Sequence, residues 1–139
     1  MSDPGKALAD AARSYIGVPF RLHGRSREEG LDCVGLLGCA LDDCGRPGTL
    51  PLGYGLRNRN PAAHLACFAP AGFVRQEHGV SVQPGDVLVV VPGPAQQHLL
   101  IAWDADRFIH AHAGLRQVVC ATKPPTWPVL QHWRLASSI

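Results

Sequence analysis

The chain has 139 residues, of which 46% are hydrophobic and 17% are charged, so it has enough apolar residues for a core and is not of the disordered class. The net charge is only +2 and the arginines are dispersed, which excludes the basic footprint of a nucleic-acid-binding protein. We expect one domain over residues 1–139. Five cysteines without a C-x-x-C pair predict reduced thiols rather than a disulfide scaffold.

Three helices are predicted in the first half of the chain. Ser2 or Asp3, followed by Pro4, is a pattern typical of a helix start, and Gly17 is the expected stop of this helix. Asp32 is the expected N-cap of a second helix, and Asn60–Pro61 is the expected start of a third. The predicted ranges are about 4–16, 33–43 and 60–68.

Strand patterns dominate the second half. They predict an α+β fold in which helices pack on a five- or six-stranded, mostly antiparallel sheet. A tight turn at Asp104–Asp106 is expected to join two of the strands as a hairpin. The predicted strands are Phe73–Gln76, Asp86–Val91, His98–Trp103, Arg107–His112, Leu115–Ala121 and Val129–Leu135.

Cys33 is the first candidate for chemistry because it is expected at the first turn of a helix. Free backbone N–H groups and the positive end of the helix dipole favour a thiolate there, which predicts a lowered thiol pKa. Asp32 opposes this effect through its negative charge. The alternative is that Cys33 is a small buried apolar residue, which is the commoner fate of a single cysteine.

Two histidines are candidates for the base and its orienting partner. His98 and His110 are expected on neighbouring strands of the predicted hairpin, roughly opposite each other. One imidazole could take the thiol proton while the other fixes its tautomer. His112 has the same strand parity as His110 and is a rival for the third role, and a pair of structural sheet histidines is the alternative. The remaining histidines, His23, His64, His78 and His132, are expected at exposed positions.

Metal chemistry is the competing interpretation. The pair His110 and His112 could supply two ligands, but the usual zinc spacings are absent, so neither a metal nor another cofactor is expected. The N-terminal segment lacks a signal-peptide pattern, and no apolar run approaches the ~18 residues of a membrane span. Synthesis in the cytoplasm, with no membrane or nucleic-acid partner, is the expectation.

Four segments of the chain resemble the NlpC-type cell-wall peptidase family, and in particular its phage and gene-transfer-agent branch. They are YIGVPFRLHGRSREEGLDCVGLL, QPGDVLVV, HLLIAWDADRFIHA and QHWRL, in the family's order. The resemblance implies a papain-like α+β fold with a Cys-His-His site, in which Cys33 is the nucleophile, His98 the base and His110 the orienting residue. It also implies that Asp32 helps to hold the free amine of a short stem peptide.

The resemblance further implies cleavage of peptidoglycan stem peptides between D-glutamate and a diamino acid, by a protein delivered to the wall with a tail or tail-like particle. Some positions depart from the family pattern. Phe20, counted here with the substrate-binding residues, stands where an aromatic hydroxyl is common, His23–Gly24 replaces Gly-Gly, and Val34 replaces serine. A structural tail component that does not use the site, or an amidase or acyltransferase of the same fold, are the alternatives.

Overall fold

The computed structural model describes residues 3–46, 68–93 and 96–136. Within these ranges, two helices accompany a six-stranded sheet and a separate two-stranded one. Apart from Phe68, the third predicted helix lies outside the described residues. The elements are α1 (Pro4–Arg13), β1 (Arg25–Ser26), β2 (Gly30–Leu31), α2 (Cys33–Asp43), β3 (Phe73–Gln76), β4 (Val87–Gly93), β5 (Gln96–Ala102), β6 (Arg107–His112), β7 (Gln117–Thr122) and β8 (Val129–Leu135).

Both helices begin where the capping pattern predicts. The Asp3 carboxylate accepts hydrogen bonds from the N–H groups of Gly5 and Lys6, and proline occupies the first turn of α1. These contacts satisfy backbone donors that a helix start leaves without partners. The helix ends at Arg13 rather than near residue 16, and turns continue the chain to Gly17. The start of α2 is capped in the same way, because the Asp32 carboxylate accepts a hydrogen bond from the Gly35 N–H.

The large sheet confirms the α+β prediction. Its strand order is β3-β8-β4-β5-β6-β7, and every recorded pairing between neighbours is antiparallel. Three of the predicted strands, Phe73–Gln76, Arg107–His112 and Val129–Leu135, have the predicted bounds. Others shift by one or two residues, which is the usual uncertainty where a strand runs into a turn.

Side chains alternate between the two faces of this sheet and build two apolar clusters. The helices pack on one face, over a cluster that includes Val87, Val89, Ile101, Ile109 and Trp133. The other face carries a smaller cluster of Leu88, Val90, Leu100, Ala102 and Phe108. Among the described residues, no helix is long and apolar enough to cross a membrane.

The loop between the helices folds tightly over the start of α2. A Cβ atom at Gly35 would lie 2.0 Å from the carbonyl oxygen of Gly24, and one at Gly24 would lie 2.1 Å from that of Gly30. Only glycine permits such backbone contact. The loop contains the short strands β1 and β2, which are not among the predicted strands. This close approach brings the backbone of His23 and the side chain of Arg25 to Asp32.

Candidate active site

A cavity of about 740 Å³ lies where the start of α2 meets strands β5 and β6. Four of the five residues predicted for the site line it directly, while His110 lies behind His98. Such a concave, largely apolar space with a few polar groups is the usual form of a small-molecule or peptide site. The lining residues are Phe20, Leu22, His23, Asp32, Cys33, Val34, Pro92, Gln97, His98, Ala111, His112, Ala113, Gly114 and Trp127.

The Cys33 thiol occupies the first turn of α2 at the wall of this cavity, and the residue is only 5% exposed. Burial raises the pKa of Cys33 to about 12, with a smaller contribution in the same direction from Asp32. Backbone N–H groups of Leu99, Cys33 and Val34 act in the opposite direction. The predicted lowering of the thiol pKa is therefore wrong: the helix start does favour the thiolate, but desolvation outweighs it.

His98 and His110 lie in direct contact, with 3.0 Å between His98 Nε2 and His110 Nδ1. Their geometry corrects one detail of the prediction. The β5–β6 hairpin pairs Ile101 with Ile109, a register that places position 100, not 98, across from position 110. The two imidazoles therefore meet diagonally, at a spacing that long side chains on adjacent strands can bridge.

Both imidazoles are uncharged at neutral pH. Burial, together with smaller contributions from the neighbouring His110 and His112, lowers the pKa of His98 to about 3. Burial and His112 likewise lower the pKa of His110 to about 4. Because a neutral imidazole has one N–H and one bare nitrogen, the contact between them has a definite polarity. If His98 Nε2 carries the proton and donates to His110 Nδ1, the Nδ1 atom of His98 is left bare to accept another proton.

His112, the rival for the third role, has a different set of contacts. It lines the cavity, and its Nδ1 atom accepts a hydrogen bond of 3.0 Å from the backbone N–H of Leu115. A neutral His112 must then carry its proton on Nε2. The recorded partner of His98 is His110, which is 3% exposed. His110 is thus placed to orient His98, and His112 is placed to face a ligand.

Asp32 is held by three protein donors. Its Oδ1 atom accepts from Gly35 N at 2.8 Å and from Arg25 at 2.7 Å, and its Oδ2 atom accepts from His23 N at 2.8 Å. His23 adopts a left-handed backbone with φ of 62° to make this contact. That conformation favours glycine. The family pattern that the chain resembles has Gly-Gly where this chain has His23–Gly24.

Trp127 is a site residue that the sequence analysis missed. It lines the cavity, and its ring centroid lies 5.9 Å from that of His98 and 6.1 Å from that of His110. The indole lies against both imidazoles and adds to the burial that lowers their pKa values. It lies in the segment between β7 and β8, where no periodic pattern in the sequence marks it.

His132 corrects another prediction. It was expected to be exposed, but it is 8% exposed, and its Nε2 atom lies 2.6 Å from Asp86 Oδ2. Arg134 also binds Asp86, so this group joins the start of β4 to β8. His23 and His78 are exposed as predicted, and His64 lies outside the described residues. Among the described residues, no group of three or more His, Cys, Asp or Glu side chains is arranged to hold a metal ion.

No protein-family profile matches the chain, and no curated protein matches it in sequence. Solved structures do match. NlpC1 from Trichomonas vaginalis has a TM-score of 0.71 at 18% identity, over 96% of this chain and 46% of that one. The peptidoglycan hydrolase RipB from Mycobacterium tuberculosis has a TM-score of 0.65 at 17% identity, over 97% of this chain and 66% of that one.

A third similar structure is an N-acetylmuramoyl-L-alanine amidase from Bacteroides uniformis, with a TM-score of 0.60 at 12% identity, over 98% of this chain and 100% of that one. The chain spans about half the length of the Trichomonas protein. At these identities the likeness establishes the fold and not the activity. The chain has the papain-like α+β fold of the NlpC/P60 proteins, with a six-stranded antiparallel sheet.

Proposed function

We propose that the protein is a cysteine hydrolase of peptidoglycan, with Cys33 as nucleophile, His98 as general base and His110 as its orienting residue. The observation that carries this proposal is the placement of Cys33 and His98 on one cavity while His110 Nδ1 lies 3.0 Å from His98 Nε2. A helix-start thiol, an imidazole and a buried group behind the imidazole are the parts of a nucleophilic amide hydrolase.

Proton transfer from thiol to imidazole opens the proposed reaction. Because both groups are uncharged at rest, the thiolate and the imidazolium form together when substrate is bound. The Cys33 proton passes to His98 Nδ1, and the Cys33 sulfur bonds to the carbonyl carbon of the scissile amide. The Cys33 backbone N–H, at the first turn of α2, donates to the oxyanion that develops.

Collapse of this tetrahedral intermediate breaks the C–N bond. The His98 imidazolium gives its proton to the leaving amine, which departs and leaves a thioester on Cys33. Water then attacks the thioester while His98 takes one of its protons. The C–S bond breaks, the carboxylic acid product is released, and the thiol regains its proton from His98.

For the substrate, we propose the stem peptide and, within it, the amide between D-glutamate and the diamino acid. The resemblance of the segment GLDCVGLL and of the histidine segments to cell-wall peptidases supports this choice. The similar structure of RipB is that of a peptidoglycan hydrolase. Phe20, which lines the cavity, is the proposed apolar contact for the peptide.

Digestion of purified peptidoglycan tests the activity. Wild type should release soluble fragments, Cys33→Ala should release none, and Cys120→Ala should behave as wild type. Cys120 is a suitable control because it is a half-buried cysteine of β7 outside the cavity. Release by Cys33→Ala at the wild-type rate would disprove the proposed nucleophile.

An amidase is the second candidate function. It is favoured by one observation, the match over 98% of this chain to a structure of an N-acetylmuramoyl-L-alanine amidase. The same residues would then cleave the amide that joins the sugar's lactyl group to the first alanine. Mass spectrometry of the products separates the two, because an amidase frees whole stem peptides and the endopeptidase leaves a dipeptide on the sugar.

Delivery by a phage tail or gene-transfer-agent particle is a further part of the proposal, supported by the resemblance to that branch. A protein made in the cytoplasm without export would meet the wall only with such help. Fractionation of the particle encoded by neighbouring genes tests this. The protein should copurify with particles, whereas its recovery only from soluble cytoplasm would refute delivery and favour an intracellular amidase.

An inert Cys33 in a particle-bound protein would instead indicate a structural tail component.

A further inference from the structure

Arg25 changes what the cavity can bind. Its guanidinium lies 2.7 Å from Asp32 Oδ1, and the two side chains are 23% and 11% exposed. Asp32 is the only carboxylate among the described residues that line the cavity. Since Arg25 approaches it from outside the cavity lining, the negative charge that could attract a substrate amine is already balanced by the protein itself.

The remaining acceptor capacity of Asp32 is also small. A carboxylate offers about four acceptor positions, and Arg25, His23 N and Gly35 N occupy three of them. Two of these donors are backbone groups fixed by the loop and by the start of α2. An incoming ammonium group would therefore have to compete with donors that the fold holds in place.

Among the described residues, the rest of the lining offers a cation no other negative charge. Most of it is apolar, including Phe20, Leu22, Val34 and Trp127, and His98 is uncharged. A substrate ammonium entering this space would lose its hydration without meeting an unbalanced negative charge, which is unfavourable. An acylated amine carries no charge and can enter at much lower cost.

We infer that Arg25 is a specificity-determining residue that, by neutralising Asp32, makes the site prefer stem peptides whose N-terminal amine is acylated over those with a free amine. This inference rests on the proposed endopeptidase function. It differs from what the family resemblance implies for Asp32, namely capture of a free amine. Arg25 acts through Asp32 and is thus a positioning residue, not a catalytic one.

The test uses two peptides that differ only at the amine, Ala–γ-D-Glu–diamino acid and its N-acetylated form. Release of the diamino acid is measured and kcat/KM is compared. Wild type should prefer the acetylated peptide by at least ten-fold. Arg25→Gln, which removes the charge, should reduce this preference by at least ten-fold, because Asp32 becomes available to the free amine. Arg25→Lys should restore most of the preference.

Arg21→Gln is the matched control, since Arg21 is an exposed arginine of the same loop with no recorded contact to Asp32. It should leave the ratio of the two kcat/KM values unchanged. A merely structural role of Arg25 would lower both values and leave their ratio as in wild type, which would overturn the inference. A wild-type preference for the free amine would overturn it without any variant. If Cys33-dependent products appear from peptidoglycan but neither peptide releases its diamino acid, the proposed bond is wrong and the inference fails with it.

Discussion

The buried histidine pair should make the protein lose stability in mild acid. His98 and His110 have an ordinary pKa of 6.5, and burial lowers these pKa values to about 3 and about 4 in the folded protein. As the pH falls, the unfolded chain binds protons that the folded one does not. The free energy of unfolding is therefore highest above pH 6.5, and it decreases progressively as the pH falls toward the folded pKa values.

His110 gives the clearer magnitude, because it is only 3% exposed. A group with a pKa of 6.5 when unfolded and about 4 when folded reduces the free energy of unfolding by about 2 kcal/mol between pH 7 and pH 5. This is a sizeable share of the roughly 5–15 kcal/mol that stabilises an ordinary domain.

His110→Asn removes the titrating group and keeps a polar side chain. Its stability at pH 7 should be lower than that of wild type, because the contact to His98 is altered. The difference in the free energy of unfolding between wild type and His110→Asn should then narrow by about 2 kcal/mol at pH 5, because only wild type keeps a buried neutral His110 that is protonated on unfolding. The assay is urea unfolding at pH 7, 6 and 5, followed by tryptophan fluorescence and far-UV circular dichroism.

His78→Asn is the matched control, because His78 lies exposed in a turn and should leave the pH dependence of wild type unchanged. A gap between wild type and His110→Asn that stays constant from pH 7 to pH 5 would refute the reasoning. It would mean that His110 has the same pKa in the folded and the unfolded protein, so that burial does not keep its imidazole neutral in mild acid.

Three further predictions follow from the site. The rate at which iodoacetamide alkylates Cys33 should rise about ten-fold per pH unit from pH 6 to 8, because the pKa of the thiol lies well above this range. A rate that stays constant over this range would show a preformed thiolate–imidazolium pair. His98→Ala should reduce kcat/KM by 100-fold or more, as is usual for loss of a general base (about 10²–10⁴). His110→Ala should reduce it by less. A larger loss from His112→Ala than from His110→Ala would assign the orienting role to His112. Asp32→Ala should lower the free energy of unfolding by about 1–2 kcal/mol through loss of the N-cap, and a change below about 0.5 kcal/mol by urea unfolding would contradict the capping role.

Much of the fold could be predicted because local patterns carry it. The proline after Asp3 and the aspartate before Cys33 mark both helix starts, and alternation of β-branched residues marks the strands of the sheet. These features depend on neighbours in sequence. The placement of Cys33 and His98 on one cavity followed from such local elements together with the family resemblance.

What could not be predicted depends on contacts between distant segments. The hairpin register follows from the turn between Trp103 and Arg107, whose backbone hydrogen bonds set His98 diagonal to His110. The raised pKa of Cys33 follows from burial beneath other elements, and the sequence shows only the helix start. Trp127 reaches the site from a segment with no periodic pattern. Tertiary burial, rather than local propensity, decided each of these cases.

The central claim is that Cys33 performs the hydrolysis of a defined amide in peptidoglycan. The most direct measurement is mass spectrometry of purified peptidoglycan after digestion by wild type, Cys33→Ala and Cys120→Ala. The account predicts sugar-linked dipeptide fragments with wild type and Cys120→Ala and none with Cys33→Ala. Identical fragments from Cys33→Ala, or no new fragments from a folded wild-type protein, would contradict it.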